Sequence, residues 1–575
     1  MPRPRATLAG VVAAAIALAT GELVCGLLDD GPSLITAVGT QFIDRFAQAL
    51  KEFAVRAFGT NDKVALVVGI VAVSLVAGAF LGRLARRRFA FGVIGFAAFG
   101  LVGLACYLDD PLGSPATGVA ATVAAVLAGI GALALLLRLG RLRRPRPSAT
   151  GPVTITGDLE PFRGRRPTRR LFLTAVGALG ITAGGATVLG RRLSRTTLVD
   201  AARQRTVLPE ASPPSTAPKP KVPTSTTTSA TTTTVPATTV AEAPATLGEA
   251  TSTATETTVA ETTTTAPETT TTVPSPAPSA VEGITPYITP NGGFFRIDTA
   301  LITPQVDVSS WRLAVTGMVD QPYEISYDEL VAMSTVEDVV TLQCVSNEVG
   351  GTLVGNAVWQ GVPLSTILGR AGVRPGATQI IGRSVDDFTA GFPTAVGLDG
   401  RTALIAVGMN GVPLPVEHGF PARLIVAGLY GYVSATKWLR QIELTTLGGA
   451  DGYWIRRGWA KEGPIKSTSR IDVPRADMFL RAGRHPIAGV AWAPVQGVGT
   501  VEVQVDDGPW TAARLGEVAN GNTWVQWVLD WDATPGVHVL RVRTVGRDGT
   551  VQTEAAAPPI PDGASGWHSR RVRVS

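Results

Sequence analysis

Histidine and cysteine are scarce in this 575-residue chain, and that scarcity removes most metal and redox chemistries at once. Two of its three cysteines, Cys25 and Cys106, sit in apolar stretches, and no Cys-x-x-Cys pair occurs, so iron–sulfur clusters and cysteine-rich zinc sites have no ligand set. The four histidines, His418, His485, His538 and His568, all lie in the last third of the chain. A haem held by two membrane histidines is thereby excluded; no haem is expected, and electrons must pass through a separate partner or the substrate itself. No His-Glu-x-x-His pair and no Walker loop is present, which leaves zinc-dependent and nucleotide hydrolysis without machinery. The net charge of +6 resides mainly in basic clusters beside apolar segments and makes no case for nucleic-acid binding.

Apolar residues are abundant instead, and mean hydropathy reaches +0.23 despite a long polar tract. Stretches at 6–28, 64–82, 89–108, 116–137 and 171–190 each approach the roughly 20 residues that cross a bilayer. Residues 1–190 therefore read as a membrane region of about five transmembrane helices. Arg3 and Arg5 precede the first span; Arg83, Arg86, Arg87 and Arg88 separate the second from the third. Arg138, Arg141, Arg143, Arg144 and Arg146 follow the fourth, and Arg163 to Arg170 lead into the fifth. With these in the cytoplasm, the Asp29-Asp30 and Asp109-Asp110 turns face outward and the C-terminal domains are extracytoplasmic, although the basic cluster at 191–195 runs against the rule locally. Phe42, Phe46, Leu50, Phe53 and Ala57 recur at helical spacing opposite charged residues, as in a helix on the membrane surface or one packed in a core. Glu22, late in the first span, is either a functional intramembrane carboxylate or one that reaches interfacial water.

Residues 207–281 are rich in Thr, Pro and Ala, with too few large apolar groups to form a core, and read as a disordered linker. A flexible chain of this length spans roughly 50 Å; its threonines are also acceptors for O-glycans if the segment is exported. Residues 282–466 mix strands such as Trp311–Thr316 and Leu404–Val407 with short helices at Tyr327–Val331 and Pro363–Leu368, an α+β pattern. Residues 467–575 read as strands around turns at Asp506-Asp-Gly508 and Arg547-Asp-Gly549, which suits a β-sandwich. Trp510, Trp524, Trp527 and Trp531 are read as its core or interface aromatics.

Cys344 is the one cysteine beyond the apolar third, so it cannot form an intradomain disulfide there; it is either a buried small hydrophobe or a thiolate ligand or nucleophile. The β-branched run before it and the Ser346, Asn347, Gly350 and Gly351 after it place the thiol where a strand gives way to a loop. In this setting Val339-Val-Thr-Leu-Gln-Cys-Val-Ser-Asn347 resembles the molybdenum-ligand segment of the sulfite oxidase family. Asn291-Gly-Gly-Phe-Phe-Arg296, His418-Gly-Phe-Pro-Ala-Arg423 and Gly431-Tyr-Val-Ser-Ala-Thr-Lys-Trp-Leu439 resemble three further segments of that family, so the likeness extends over about 291–575. It implies a single-pterin molybdenum–molybdopterin cofactor with Cys344 as the metal's thiolate ligand. Phe295, Arg296, Ser384, His418, Arg423, Ala435, Thr436 and Lys437 would hold the pterin and its phosphate. It also implies an immunoglobulin-like C-terminal sandwich of the kind that forms homodimers, a small-molecule substrate and a separate electron-transfer partner.

The departures bear on substrate. Sulfite-oxidising members carry two arginines where this chain has Glu348 and Val349, and their active-site tyrosine aligns with Trp459. An acidic residue there is expected to oppose a dianion, with Arg456, Arg457, Lys461 and Lys466 as possible compensating cations. Thr168-Arg-Arg-Leu-Phe-Leu173 resembles a twin-arginine export signal, which suits a protein loaded with its cofactor before crossing a membrane. The expected protein is thus a multi-pass, cell-membrane-anchored oxidoreductase with an α-helical membrane region, an α+β molybdopterin domain and a sandwich. It would move an oxygen atom to or from a small sulfur compound or S-oxide. The alternative is a non-catalytic membrane-tethered binding module derived from the same fold.

Overall fold

The computed structural model describes residues 3–28, 32–42, 62–141, 197–213 and 277–575, with short pieces between 174 and 185. Four described helices are long and apolar enough to cross a membrane: α1 (Arg3–Leu28), α2 (Asp62–Ala85), α3 (Phe89–Leu108) and α4 (Pro115–Arg141). The surface helix expected beyond Phe42 and the twin arginines Arg169 and Arg170 lie outside the described residues, as does most of the expected fifth span. Helix α1 packs against both α2 and α4 through small residues such as Ala6, Ala9, Ala13 and Ala14, which let helix backbones approach closely. Val68, Val73, Val76, Phe80, Phe99 and Leu101 point outward, so the bundle turns large apolar side chains away from its own core. Arg83 Nε donates to Thr7 Oγ1 at 2.9 Å, which puts the basic end of α2 beside the start of α1. At the other end Gln41 Nε2 donates to Asp109 Oδ2 at 2.6 Å.

The next unit of structure is built on two sheets. In the first, β1 (Arg312–Gly317), β2 (Tyr323–Ser326), β5 (Gln379–Ser384), β6 (Thr389–Pro393) and β10 (Leu439–Thr445) run in the order β2-β1-β10-β5-β6. In the second, β3 (Val336–Gln343), β4 (Val354–Pro363), β7 (Ala403–Met409) and β8 (Val412–Pro413) follow in order, with β9 (Arg423–Val426) also paired to β7. Every residue of β7 is buried, as its continuous apolar run Ala-Leu-Ile-Ala-Val-Gly-Met requires of a strand covered on both faces. The helix at Tyr327–Ala332 starts at a capping box: Ser326 accepts from the Glu329 amide at 3.3 Å and Glu329 accepts from the Ser326 amide at 2.8 Å. The helix at Leu364–Ala371 buries Leu364, Ile367, Leu368 and Ala371, one stripe at helical spacing.

Beyond β10 the chain forms a two-sheet β-sandwich. One sheet runs β11 (Thr468–Val473), β13 (Gly483–Trp492), β17 (Val525–Ala533), β16 (Arg514–Leu515). The other runs β12 (Phe479–Leu480), β19 (His568–Val574), β18 (Gly536–Gly546), β14 (Val498–Val505), β15 (Thr511–Ala512). Ile471, Ile487 and Trp527 of the first face Val501, Leu540, Val542 and Val572 of the second across one core. The two halves do not divide cleanly near 466, because Trp492 and Trp524 from the sandwich belong to the core of the α+β part. Trp524 Nε1 donates to the Tyr287 carbonyl at 2.8 Å, and Trp492 Nε1 to Gln343 Oε1 at 2.6 Å.

Both ends of the linker expected over 207–281 are packed on the fold. The helix Thr197–Arg205 and the strap after it lie on the α+β part: Val199 joins its core, Leu208 packs against it, and the Pro209 carbonyl accepts from Gln360 Nε2 at 2.8 Å. Ser212 then pairs in parallel with Val336 and covers the outer edge of β3. At the far end Val281 packs against Ala488 and Val528 of the sandwich.

Candidate active site

Cys344 follows β3 directly and opens the loop that joins it to β4. Its amide donates to the Leu353 carbonyl at 2.9 Å, one step beyond the last ladder pair, Gln343 with Val354. Asn347 tightens the loop: its amide donates to the Cys344 carbonyl at 3.0 Å and its Oδ1 accepts from the Leu353 amide at 2.8 Å. The sandwich holds the same loop from behind, since Arg470 Nη1 donates to the Gly351 carbonyl at 2.8 Å. Gly350, at φ +77°, sits so close to the His568 ring that a Cβ there would lie 2.2 Å from it. His568 accepts from the Ile471 amide at 2.9 Å through Nδ1, and burial pushes its pKa down to about 4, so the imidazole under the loop is neutral.

The segment between β8 and β10 supplies the other polar groups. His418 Nε2 lies 2.8 Å from the Asn291 carbonyl, and Phe294 meets its ring edge-on. Burial lowers the His418 pKa more than that bond raises it, so the ring is neutral, with Nε2 as donor and Nδ1 left as acceptor. Gly419, at φ +112°, allows the chain to double back: a Cβ there would lie 3.1 Å from both Lys437 Cα and Arg423 Cβ. Arg423 is buried, stacked on Trp359 at 4.9 Å, and donates one bond, from Nη1 to the His418 carbonyl at 3.1 Å. Its Nε has no partner among the described residues, and burial pushes its pKa down to about 9.

These elements line one cleft of about 950 Å³, including its open mouth. Phe295, Cys344, Ser384, His418, Arg423, Ala435, Lys437 and Trp459, all expected from the sequence, lie on its wall. Arg296 and Thr436 do not. The Arg296 side chain is nearly half exposed and reaches Thr303 Oγ1 at 2.7 Å, whereas Thr436 is fully buried behind the wall against Gly382. The sequence reading missed Asp298, Asp386, Tyr432 and Trp454, which also line the cleft. Asp298 accepts from Lys437 Nζ at 2.8 Å and pairs with Lys63 as well. Burial opposes its ionisation, but the two ammonium groups outweigh burial and hold the carboxyl well below the usual range. Burial in turn pushes Lys437 down to about 8, and it raises the pKa of Asp386. The Tyr432 hydroxyl is committed to the Ala460 carbonyl at 2.6 Å, and burial raises its pKa above the ordinary tyrosine value.

Residues 300–454 match the family model described as "Oxidoreductase molybdopterin binding domain". The chain is 36% identical over 157 residues to the uncharacterized oxidoreductase YuiH of Bacillus subtilis, covering 27% of this chain and 76% of that protein. It is 29% identical over 343 residues to human mitochondrial sulfite oxidase, covering 50% of this chain and 62% of that enzyme. Among solved structures it is similar to the sulfane dehydrogenase SoxCD from Paracoccus pantotrophus, at a TM-score of 0.45 and 24% identity over 53% of this chain and 87% of that one. The chain belongs to the sulfite oxidase family of molybdopterin oxidoreductases.

The cleft fits the cofactor of that family. Arg423 is a buried guanidinium with an unused donor and no carboxylate paired to it among the described residues, an arrangement that an anionic phosphate would complete. Lys437 adds a point charge beside it, and Ala435 lies on the wall between the short helix Gly431–Ser434 and that lysine. Among the described residues no three His, Cys, Asp or Glu side chains cluster as a metal site. Cys344 is the soft donor on the wall, and a single thiolate would suit a metal whose cofactor brings its own sulfur ligands.

Proposed function

We propose that this chain is a membrane-anchored, extracytoplasmic molybdopterin oxidoreductase that moves an oxygen atom to or from a small, neutral sulfur compound or S-oxide. The observation that carries the reading is one cleft wall that brings together Cys344, neutral His418 and the incompletely bonded guanidinium of Arg423. When bound, the cofactor supplies two-electron oxygen-atom chemistry; the residues supply its place and its surroundings. Arg423 and Lys437 would hold its phosphate, and the neutral His418 ring would offer an acceptor to the pterin. Phe295, Trp454 and Trp459 add apolar aromatic surface to the cleft wall.

The charge of the cleft favours a neutral substrate, though for a reason other than the one the sequence offered. Glu348 is exposed and does not line the cleft, so it is not what opposes a dianion. Asp298 and Asp386 do line it; Asp298 is paired with Lys63, which is off the wall, and the wall's two cations, Arg423 and Lys437, are both assigned to the cofactor. The compensating cations considered in the sequence are engaged elsewhere: Arg457 with the Tyr453 carbonyl at 2.9 Å, Lys461 with Asp451 at 2.7 Å and Lys466 with Asp562 at 3.0 Å. None of these, nor Arg456, is on the wall. A buried dianion without fixed cations carries a large desolvation cost, whereas a sulfoxide needs only donors for its oxygen. The full-length protein, purified from a host that makes the cofactor, is expected to hold about one molybdenum per chain. It should reduce methionine sulfoxide with a reduced dye faster than it oxidises sulfite. Micromolar saturation by sulfite would overturn the charge argument, and a stable folded chain with no molybdenum would favour the binding module.

Anchoring and sidedness are supported by the four apolar helices and by Lys63, whose contacts with the cleft segment lie at the end of α2 remote from Arg83. Export in the folded state would use Arg169 and Arg170. Arg169→Lys with Arg170→Lys keeps the charge but removes the paired guanidinium groups, and should leave the loaded domain protected from protease added outside spheroplasts. Normal external digestion in that double variant would show that another route carries it.

A further inference from the structure

Lys63 is the one basic residue among the described segments at its end of the helical bundle. The described segments there, 32–42, 62–64 and 107–116, contain no other basic residue. It stands two residues ahead of the apolar stretch Ala65–Ala85, and its ammonium reaches the catalytic part: it donates to the Asp298 carboxylate and to the Ala300 carbonyl, the latter at 2.5 Å. The neighbouring Leu301 packs against Gly39 of the helical region, so the segment that follows Phe295 on the cleft wall is also the seam with the bundle.

Asp298 is nearly inaccessible, with 3% of its side chain exposed, and it accepts from two ammonium groups at once. Lys437, 10% exposed, donates to Asp298 at 2.8 Å and to the Glu417 carbonyl at 3.2 Å and lies over the Trp438 ring. For Lys437 to turn to an anionic ligand it must give up part of its hold on Asp298. A buried carboxylate that loses its sole counter-ion is costly, and one that keeps a second counter-ion is not. The half-exposed Arg296, at 3.3 Å from Asp298, is a weaker substitute because water screens it.

We infer that the membrane bundle contributes Lys63 to the cofactor site as a positioning residue, which neutralises Asp298 and thereby releases Lys437 for the pterin phosphate. With Lys63 present Asp298 keeps a close ammonium partner when Lys437 turns away; without it only the half-exposed Arg296 remains beside the carboxylate. By linkage the effect is reciprocal: a bound cofactor, which draws Lys437 away, strengthens the grip of Asp298 on Lys63 and so the docking of the bundle. The inference rests on the reading that the cleft holds a pterin phosphate.

The test uses the full chain in detergent micelles, isolated with its cofactor, and measures pterin fluorescence retained per chain after gel filtration at rising salt. Loss of a charge-assisted interaction corresponds to about a tenfold or greater weakening of retention in Lys63→Met. Lys63→Arg should restore it. In an Asp298→Asn background, where no carboxylate needs neutralising, Lys63→Met should cause no further loss. Equal retention by wild type and Lys63→Met overturns the inference while leaving the cofactor reading intact. An undiminished loss in the Asp298→Asn background also overturns it, because Lys63 would then act only by holding the bundle in place. Wild-type protein that carries no pterin at all overturns both.

Discussion

Cys344→Ser is expected to abolish turnover while the chain stays folded and keeps its pterin. The loop that carries the residue is held by backbone groups and by its neighbours: the Cys344 amide bonds to Leu353, Asn347 bridges the same turn, and Arg470 grips Gly351. None of these bonds uses the thiol, so the substitution should change stability by no more than about 0.5–1 kcal/mol. The groups assigned to the pterin, His418, Arg423 and Lys437, come from a different part of the chain and are untouched. The metal, in contrast, loses a soft thiolate and meets a hard hydroxyl that stays protonated at neutral pH. Changes in the groups around metal ligands already cost ten- to a hundredfold, so loss of the ligand itself should exceed about a hundredfold. Pterin per chain, molybdenum per chain, thermal midpoint and turnover, measured on one preparation, separate these effects. Wild-type turnover in the variant would remove Cys344 from the mechanism.

The sequence told much about elements and less about what meets across the fold. The four long apolar helices begin and end close to the apolar runs that announced them, because length and hydropathy are properties of composition within one segment. Strand β3 and the loop at Cys344 were legible for the same reason, as a β-branched run followed by turn residues. The strap at 207–213 was not. It is held to β3 by backbone pairing through Ser212 and to Gln360 through the Pro209 carbonyl, and backbone bonds leave no side-chain pattern to read. Trp492 and Trp524 show a related blindness: their bulk announces burial, but nothing local says that they fill the core of the neighbouring half.

At the site, residue types were easier to read than charge balance. Six of the eight expected residues on the wall come from segments near the ends of β3, β5, β9 and β10, whereas Phe295 and Trp459 follow short helical turns. Asp298 escaped because its meaning lies in Lys437, 139 positions away, and in Lys63, 235 positions away. Glu348 misled in the opposite sense: its place in an alignment pointed to the pocket, whereas its side chain is exposed and off the wall. Spacing carries which groups are near in sequence, and electrostatics depends on which are near in space.

Arg423→Met should move two measurements in opposite directions. In the cofactor-free protein Arg423 is a buried cation that no described carboxylate balances, with one hydrogen bond from Nη1 and an Nε that has no partner. Burial alone accounts for its lowered pKa, which means that folding carries a desolvation cost for this side chain. Methionine fills a similar volume beside Trp359 without that cost, at the loss of one donor to the His418 carbonyl, worth about 1 kcal/mol. Replacing buried charge by well-packed apolar groups is commonly neutral to stabilising by about 1–4 kcal/mol, so the thermal midpoint of the cofactor-free variant should equal or exceed that of wild type. Cofactor retention should behave the other way. Truncating one side of a buried charge-assisted pair costs about 2–5 kcal/mol, which weakens pterin binding by at least about thirtyfold. A variant that lost stability without its cofactor, or kept the pterin as tightly as wild type, would show that the guanidinium is a structural group and not the phosphate's anchor.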